Sequence, residues 1–83
     1  MEVIVEFNKS AFRHGISKED ILHALKTKID DFAIEGLPEK YAFIGFDRNG
    51  NPLEVMYNPI DDNSIYIFHA MKARKSIIAL LDL

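Results

Sequence analysis

The chain contains no cysteine. A disulfide framework and a zinc–thiolate centre are therefore both excluded, and the absence fits a reducing compartment. No stretch approaches the ~20 consecutive apolar residues of a membrane-spanning helix. The N-terminal MEVIVEF carries acids where a secretory leader carries Lys or Arg. The expectation is a cytoplasmic protein without membrane contact. Glycine and proline are scarce, four and three respectively, and no Gly-rich phosphate loop is present. Ser10, Ser17, Ser64 and Ser76 lie in no nucleophile motif. Any catalysis here is expected to be acid–base with electrostatic stabilisation, not covalent, and to need no cofactor.

What is present suffices for a core. Hydrophobic residues make up 48% and aromatics 11% of 83 residues, enough for one packed domain spanning 1–83 and too little for two. The net charge of −3 argues against a surface that binds nucleic acid by wholesale phosphate neutralisation. The charges are unevenly spread, however. From Asn8 to Lys28 the bases Lys9, Arg13, Lys18, Lys26 and Lys28 face only Glu19 and Asp20. Lys72, Arg74 and Lys75 follow with no acid between Asn63 and Leu81. Two basic segments on an acidic chain can build one local patch, and the local potential is what a ligand meets.

VIVEF is β-branched and weakly alternating, so Glu2–Phe7 reads as a first strand. Asn8 caps a short helical stretch that Gly15 ends by adopting a left-handed conformation. Ser17 is the N-cap of a second helix, Lys18–Lys28. Glu19 and Asp20 suit its N-terminal dipole, and Ile21, Leu22, Ala24, Leu25 and Ile29 recur at helical spacing. Asp30–Glu39, with four acids, Gly36 and Pro38, reads as an irregular connection. Three strands follow in KYAFIGFD, PLEVMYN and SIYIFHA, and Ile77, Ile78 and Leu81 mark a short C-terminal helix. The sum is an α+β domain of order β-α-α-β-β-β-α. Its helices cover one face of an antiparallel sheet, and its first strand is able to join a sheet edge.

The Asn49-Gly50 pair within RNGN predicts a two-residue type I′ hairpin. That turn sets Asp47 opposite Pro52, Phe46 opposite Leu53, Gly45 opposite Glu54 and Ile44 opposite Val55. Pro52 then falls at a non-hydrogen-bonded pair, where its missing N–H is harmless. One face carries Ala42, Ile44 and Phe46 with Leu53, Val55 and Tyr57. The other carries Tyr41, Phe43, Gly45 and Asp47 with Glu54, Met56 and Asn58. Glutamate is depleted in central strands, and an opposing glycine leaves open space above the carboxylate. Glu54 is therefore the leading candidate among the acids, against the alternative of a simply wetted face.

His69 ends an apolar strand and can serve as a general acid or base. It meets Glu54 if the last two strands pair them opposite or diagonally, a register the loop leaves open by one residue. Arg74, with Lys72 and Arg48, supplies phosphate-gripping charge, and a surface role competes for each. His14, His23 and His69 show no local metal-ligand spacing, so no metal site is expected. His14 has an ordinary explanation as a cation near a helix C-terminus.

The order strand, FNKSAFRHGISKEDILHAL, three-strand meander and basic end resembles the BrnT-like toxins of bacterial toxin–antitoxin pairs, small ribonucleases related in fold to the RelE family. The motif-bearing residues are His14, Gly15, His23, Asp47, Gly50, Glu54, His69 and Arg74. The family's last-strand Arg-x-x-Ser-x-Arg pattern is replaced here by Tyr66, His69 and Met71. The resemblance implies metal-independent RNA cleavage restrained by an antitoxin protein. Glu54, His69 and Arg74 would be catalytic, and Lys72, Arg48, His14 and His23 would contact substrate. The competing expectation is a non-catalytic interaction module, dimerising through a sheet edge or through the face of Tyr41, Phe43, Met56 and Tyr66.

Overall fold

In the computed structural model, which describes residues 3–80, the local signals around the first helices hold. Strand β1 (Ile4–Phe7) leads into a 3-10 helix at Lys9–Phe12, whose cap Asn8 accepts the Ser10 N–H. Gly15 is left-handed at φ 79°, and Ser17 caps α1 (Lys18–Lys26) by accepting the Asp20 N–H. The remaining elements are β2 (Asp30–Ala33), β3 (Tyr41–Phe46), β4 (Pro52–Asp61), β5 (Ser64–Lys72) and α2 (Lys75–Leu80). Glu2 and Leu81, assigned above to the first strand and last helix, lie outside the described residues. No described helix is long and apolar enough to cross a membrane.

The result is a small α+β fold with two helices packed against a five-stranded sheet of order β1-β5-β4-β3-β2. All neighbours are antiparallel except β1, which joins the edge parallel to β5. Strand β2 corrects the expectation of an irregular connection over Asp30–Glu39. Its sequence DDFA has poor strand propensity and no buried residue. The free edge of β3 makes it a strand, through the pairs Asp30–Ile44 and Phe32–Ala42. Asp31 then ties it inward by accepting the Tyr57 hydroxyl at 2.6 Å.

The β3–β4 turn corrects a second expectation. Of its residues only Gly50 has positive φ, at 85°, so Asn49 does not take the left-handed conformation that type I′ demands. Gly50 N–H bonds the Asp47 carbonyl and Asp47 N–H bonds the Asn51 carbonyl, giving a three-residue loop with a glycine bulge. The Asp47 carboxylate selects this geometry by accepting the N–H groups of Asn49 and Asn51. One extra loop residue shifts every pair. Phe46 faces Pro52, Gly45 faces Leu53, and Ile44 faces Glu54. Pro52 still sits at a non-hydrogen-bonded pair.

The shift turns β3 over. Phe43 and Gly45 now share a face with Leu53, Val55 and Tyr57, while Ala42 and Ile44 accompany Glu54 and Met56. Helix α1 packs on the first of these faces, where Ala11, Ile21, Ala24, Phe43, Leu53, Val55, Ile67 and Ala70 form the buried core. Burying each large side chain there contributes roughly 1.5–3 kcal/mol. Gly45 is required by this contact. A Cβ at that position would fall on the Ala24 carbonyl. Ile77 and Leu80 of α2 meet Ile44, Asp30 and Phe32 on the second face, around an apolar recess of about 250 Å³. The expected aromatic face does not exist as one surface, because Phe43 is fully buried under α1 and Met56 lies on the other side.

Candidate functional site

The β4–β5 register brings the leading candidates together. Leu53 and Val55 face α1, so alternation turns Glu54 to the opposite face, beside its partner Met71. Met56 pairs with His69, which places His69 diagonal to Glu54 on that face. A bulge makes this possible. Ile65 and Ile67 of β5 pack on the core side, and plain alternation would bury His69 with them. The register shifts between Met56 and Tyr57, leaving Phe68 as an extra residue in β5. Beyond it Ala70 takes the core position at 0% exposure, and His69 is released to the side of Glu54.

Glu54 is buried, with only 2% of its surface exposed. Its Oε1 accepts both the backbone N–H and the Nε–H of Arg74, each at 3.0 Å. Arg74 occupies the start of α2, where its carbonyl accepts the N–H groups of Ile77 and Ile78. The neighbouring Ala73 N–H bonds the Pro52 carbonyl. Glu54 thus pins the turn from β5 into α2 and fixes the Arg74 side chain, which remains 57% exposed. The open space expected above Glu54 is absent, since its partner is the fully buried Ile44.

His14 approaches from the segment after the 3-10 helix, which runs along β5 beyond the end of β1. Ser10 Oγ anchors that helix by donating to the Phe68 carbonyl. The His14 and His69 rings meet edge to face, with centroids 5.0 Å apart and planes at 75°. His14 is exposed and His69 half-buried. Burial holds the His69 imidazole below its usual pKa of 6.5. Positive charge from His14, Arg74 and Arg13 pushes the same way, and Glu54 opposes. The two basic segments of the sequence therefore converge here. Arg13, adjoining His14, is a contributor that the sequence reading counted only as charge.

The other candidates lie elsewhere. His23 Nδ1 donates to the Phe46 carbonyl at 2.8 Å, and the Thr27 hydroxyl accepts the Phe46 N–H. These bonds satisfy the outward backbone groups of β3 just beyond the end of β2. Arg48 donates both its backbone N–H and its Nε–H to Asp20 Oδ1, clamping the hairpin to α1. The clamp holds the Asp20 carboxyl down at about 2. Lys72 pairs with Leu53 and so alternates away from the His69 face. Among the described residues, no group of three or more His, Asp or Glu is placed to hold a metal ion.

The assembled group is two touching imidazoles, a half-exposed guanidinium fixed by a buried carboxylate, and a second arginine nearby. Such a group can move protons and stabilise anionic charge without a metal. Comparison with protein-family models, curated proteins and solved structures finds no match for the chain, so the reading of this site rests on its own residues.

Proposed function

We infer that the chain is a metal-independent ribonuclease of the toxin type, acting in the cytoplasm and restrained by a partner antitoxin protein. The observation that carries this is the His14–His69 contact beside the Glu54–Arg74 pair. RNA supplies its own nucleophile, so a protein need only hold the phosphate and move two protons. His69, kept neutral by its surroundings, accepts the proton of the 2′-hydroxyl as that oxygen attacks phosphorus. The P–O5′ bond breaks as His14, the general acid, delivers a proton to the departing oxygen. The products are a 2′,3′-cyclic phosphate and a free 5′-hydroxyl. Arg74 offsets charge on the phosphoryl oxygens, aided by Arg13. Glu54 is a positioning residue in this scheme, since both of its bonds go to Arg74.

The purified chain, incubated with unstructured RNA in EDTA, should yield 2′,3′-cyclic phosphate ends. His69→Ala and His14→Ala should each lower the rate about 10²-fold or more, the usual weight of a general acid or base. Expression without the partner should arrest growth, and His69→Ala should relieve the arrest. An RNA left intact by the folded wild-type chain overturns the reading.

A further inference from the structure

Phe12 is a large aromatic that the core does not absorb, with 39% of its surface exposed. It is nevertheless fixed. Its ring stacks on Phe7 with centroids 5.4 Å apart and planes at 29°, and the Lys18 ammonium lies 5.6 Å from the Phe7 centroid. Its own 3-10 helix is held by the Asn8 cap and by the Ser10 bond to the Phe68 carbonyl. Exposed single hydrophobics are common and ordinarily need no explanation. This one differs in its surroundings. Lys9, Arg13 and Lys18 are all exposed around it, and no acid occurs from Asn8 to Lys18. It also stands two residues from His14, a chain distance of at most about 7 Å.

We propose that Phe12 is a base-stacking subsite, and that the polynucleotide entering the His14–His69 site is single-stranded. The inference rests on the ribonuclease reading of that site and adds its substrate class. A rigid ring offers one face to a nucleobase, and every base has a π-face, so stacking selects an unpaired base and not a sequence. A base in a duplex is already stacked on both sides and cannot reach the ring. The cations around Phe12 neutralise the phosphates on either side of the stacked nucleotide. The base on Phe12 then places the adjoining phosphodiester at the paired imidazoles, one nucleotide away. Charge complementarity favours a polyanion over an apolar peptide segment as the occupant of this ring.

The test uses a fluorescein-labelled oligonucleotide, fully 2′-O-methylated so that it cannot be cleaved, and the duplex of the same sequence. Anisotropy at low salt should show the single strand binding the intact chain at least tenfold more tightly than the duplex. Phe12→Ala should weaken the single strand about tenfold, within the range of one stacked base. Phe12→Trp should restore binding, which a merely structural role for the ring would not predict. Circular dichroism melting of Phe12→Ala separates loss of the ring from loss of the fold. Equal affinity for duplex and single strand overturns the proposal, as does wild-type affinity in a folded Phe12→Ala. A strand that binds through Phe12 while unmethylated RNA stays intact supports the subsite and defeats the ribonuclease reading. RNA cut equally well by wild type and Phe12→Ala, with equal affinity, does the reverse.

Discussion

If Glu54 acts by fixing Arg74 and not by touching substrate, the two residues must be energetically coupled. Arg74→Ala removes one of two 3.0 Å bonds to Oε1 and leaves the backbone N–H as partner of a buried carboxylate. A hydrogen bond to a charged group contributes about 1.5–3 kcal/mol. The Arg74 side chain is 57% exposed and water can replace part of the bond, so roughly 1–2 kcal/mol is expected. Glu54→Gln keeps the shape and one acceptor oxygen but loses the charge, and should cost about 1 kcal/mol. In a chain of this size each kcal/mol lowers the melting temperature by roughly 4–8 °C, so either change is measurable. A double-mutant cycle read by urea unfolding should return a coupling of about 0.5–1.5 kcal/mol, beyond the ~0.3–0.5 kcal/mol scatter of independent sites. In RNA cleavage, Glu54→Gln in the Arg74→Ala background should add nothing further. Additive unfolding energies would refute the ion pair. A folded Glu54→Gln chain that cleaves RNA far more slowly than Arg74→Ala does would refute the positioning role and make the carboxylate catalytic.

Two further outcomes test the frame around the site. Gly45→Ala would set a methyl carbon 2.6 Å from the Ala24 carbonyl carbon and 2.9 Å from its Cα, where ordinary contact begins at 3.4 Å. These are backbone atoms and cannot change rotamer. Helix α1 must move off β3, at a cost of about 1–3 kcal/mol or more, and an unchanged melting temperature would defeat the register given for the hairpin. Asp20 has its folded pKa lowered from 3.8 to about 2 by the Arg48 bonds, so between those values the unfolded chain binds more protons. Its contribution is complete above pH 3.8 and disappears as pH falls toward about 2. Asp20→Asn should therefore melt lower than wild type at pH 7, and the difference should close across that window. A constant difference down to pH 2 would count against the clamp.

The parts of the fold that depend on one residue's own chemistry were legible in the chain. Ser17 offers an acceptor to orphan helix N–H groups wherever a helix begins, and Gly15 takes a left-handed φ that other residues resist. The alternation within β4 is equally local, and it correctly turned Glu54 away from Leu53 and Val55. Two features were not legible because their causes lie in other elements. Strand β2 exists because β3 has an edge to fill, and nothing in DDFA announces it. The hairpin signal was present but incomplete. Asn49-Gly50 fits a two-residue turn, and the deciding residue was Asp47, whose carboxylate gathers the N–H groups of a longer one.

That single loop residue accounts for the altered role of Glu54. With the shorter turn Glu54 would face Gly45, under open space, where a carboxylate can work as a base. With the longer turn it faces Ile44, while Gly45 goes to the α1 contact. A buried carboxylate needs a partner, and Arg74 at the start of α2 supplies two donors. The acid–base capacity then passes to the histidines, and the bulge at Phe68 decides this. Without it His69 would follow Ile65 and Ile67 into the core, away from Arg74. A strand insertion costs ladder pairing, and here its effect is to present one imidazole beside another and beside a fixed guanidinium. Deleting Phe68 removes the bulge together with its extra residue, so His69 should stay opposite Met56 on the Glu54 face in a chain that keeps its sheet. An unbroken ladder through the full-length β5 would instead set His69 against Val55 in the core, which makes the bulge, more than any single ionisable residue, the element on which the site depends.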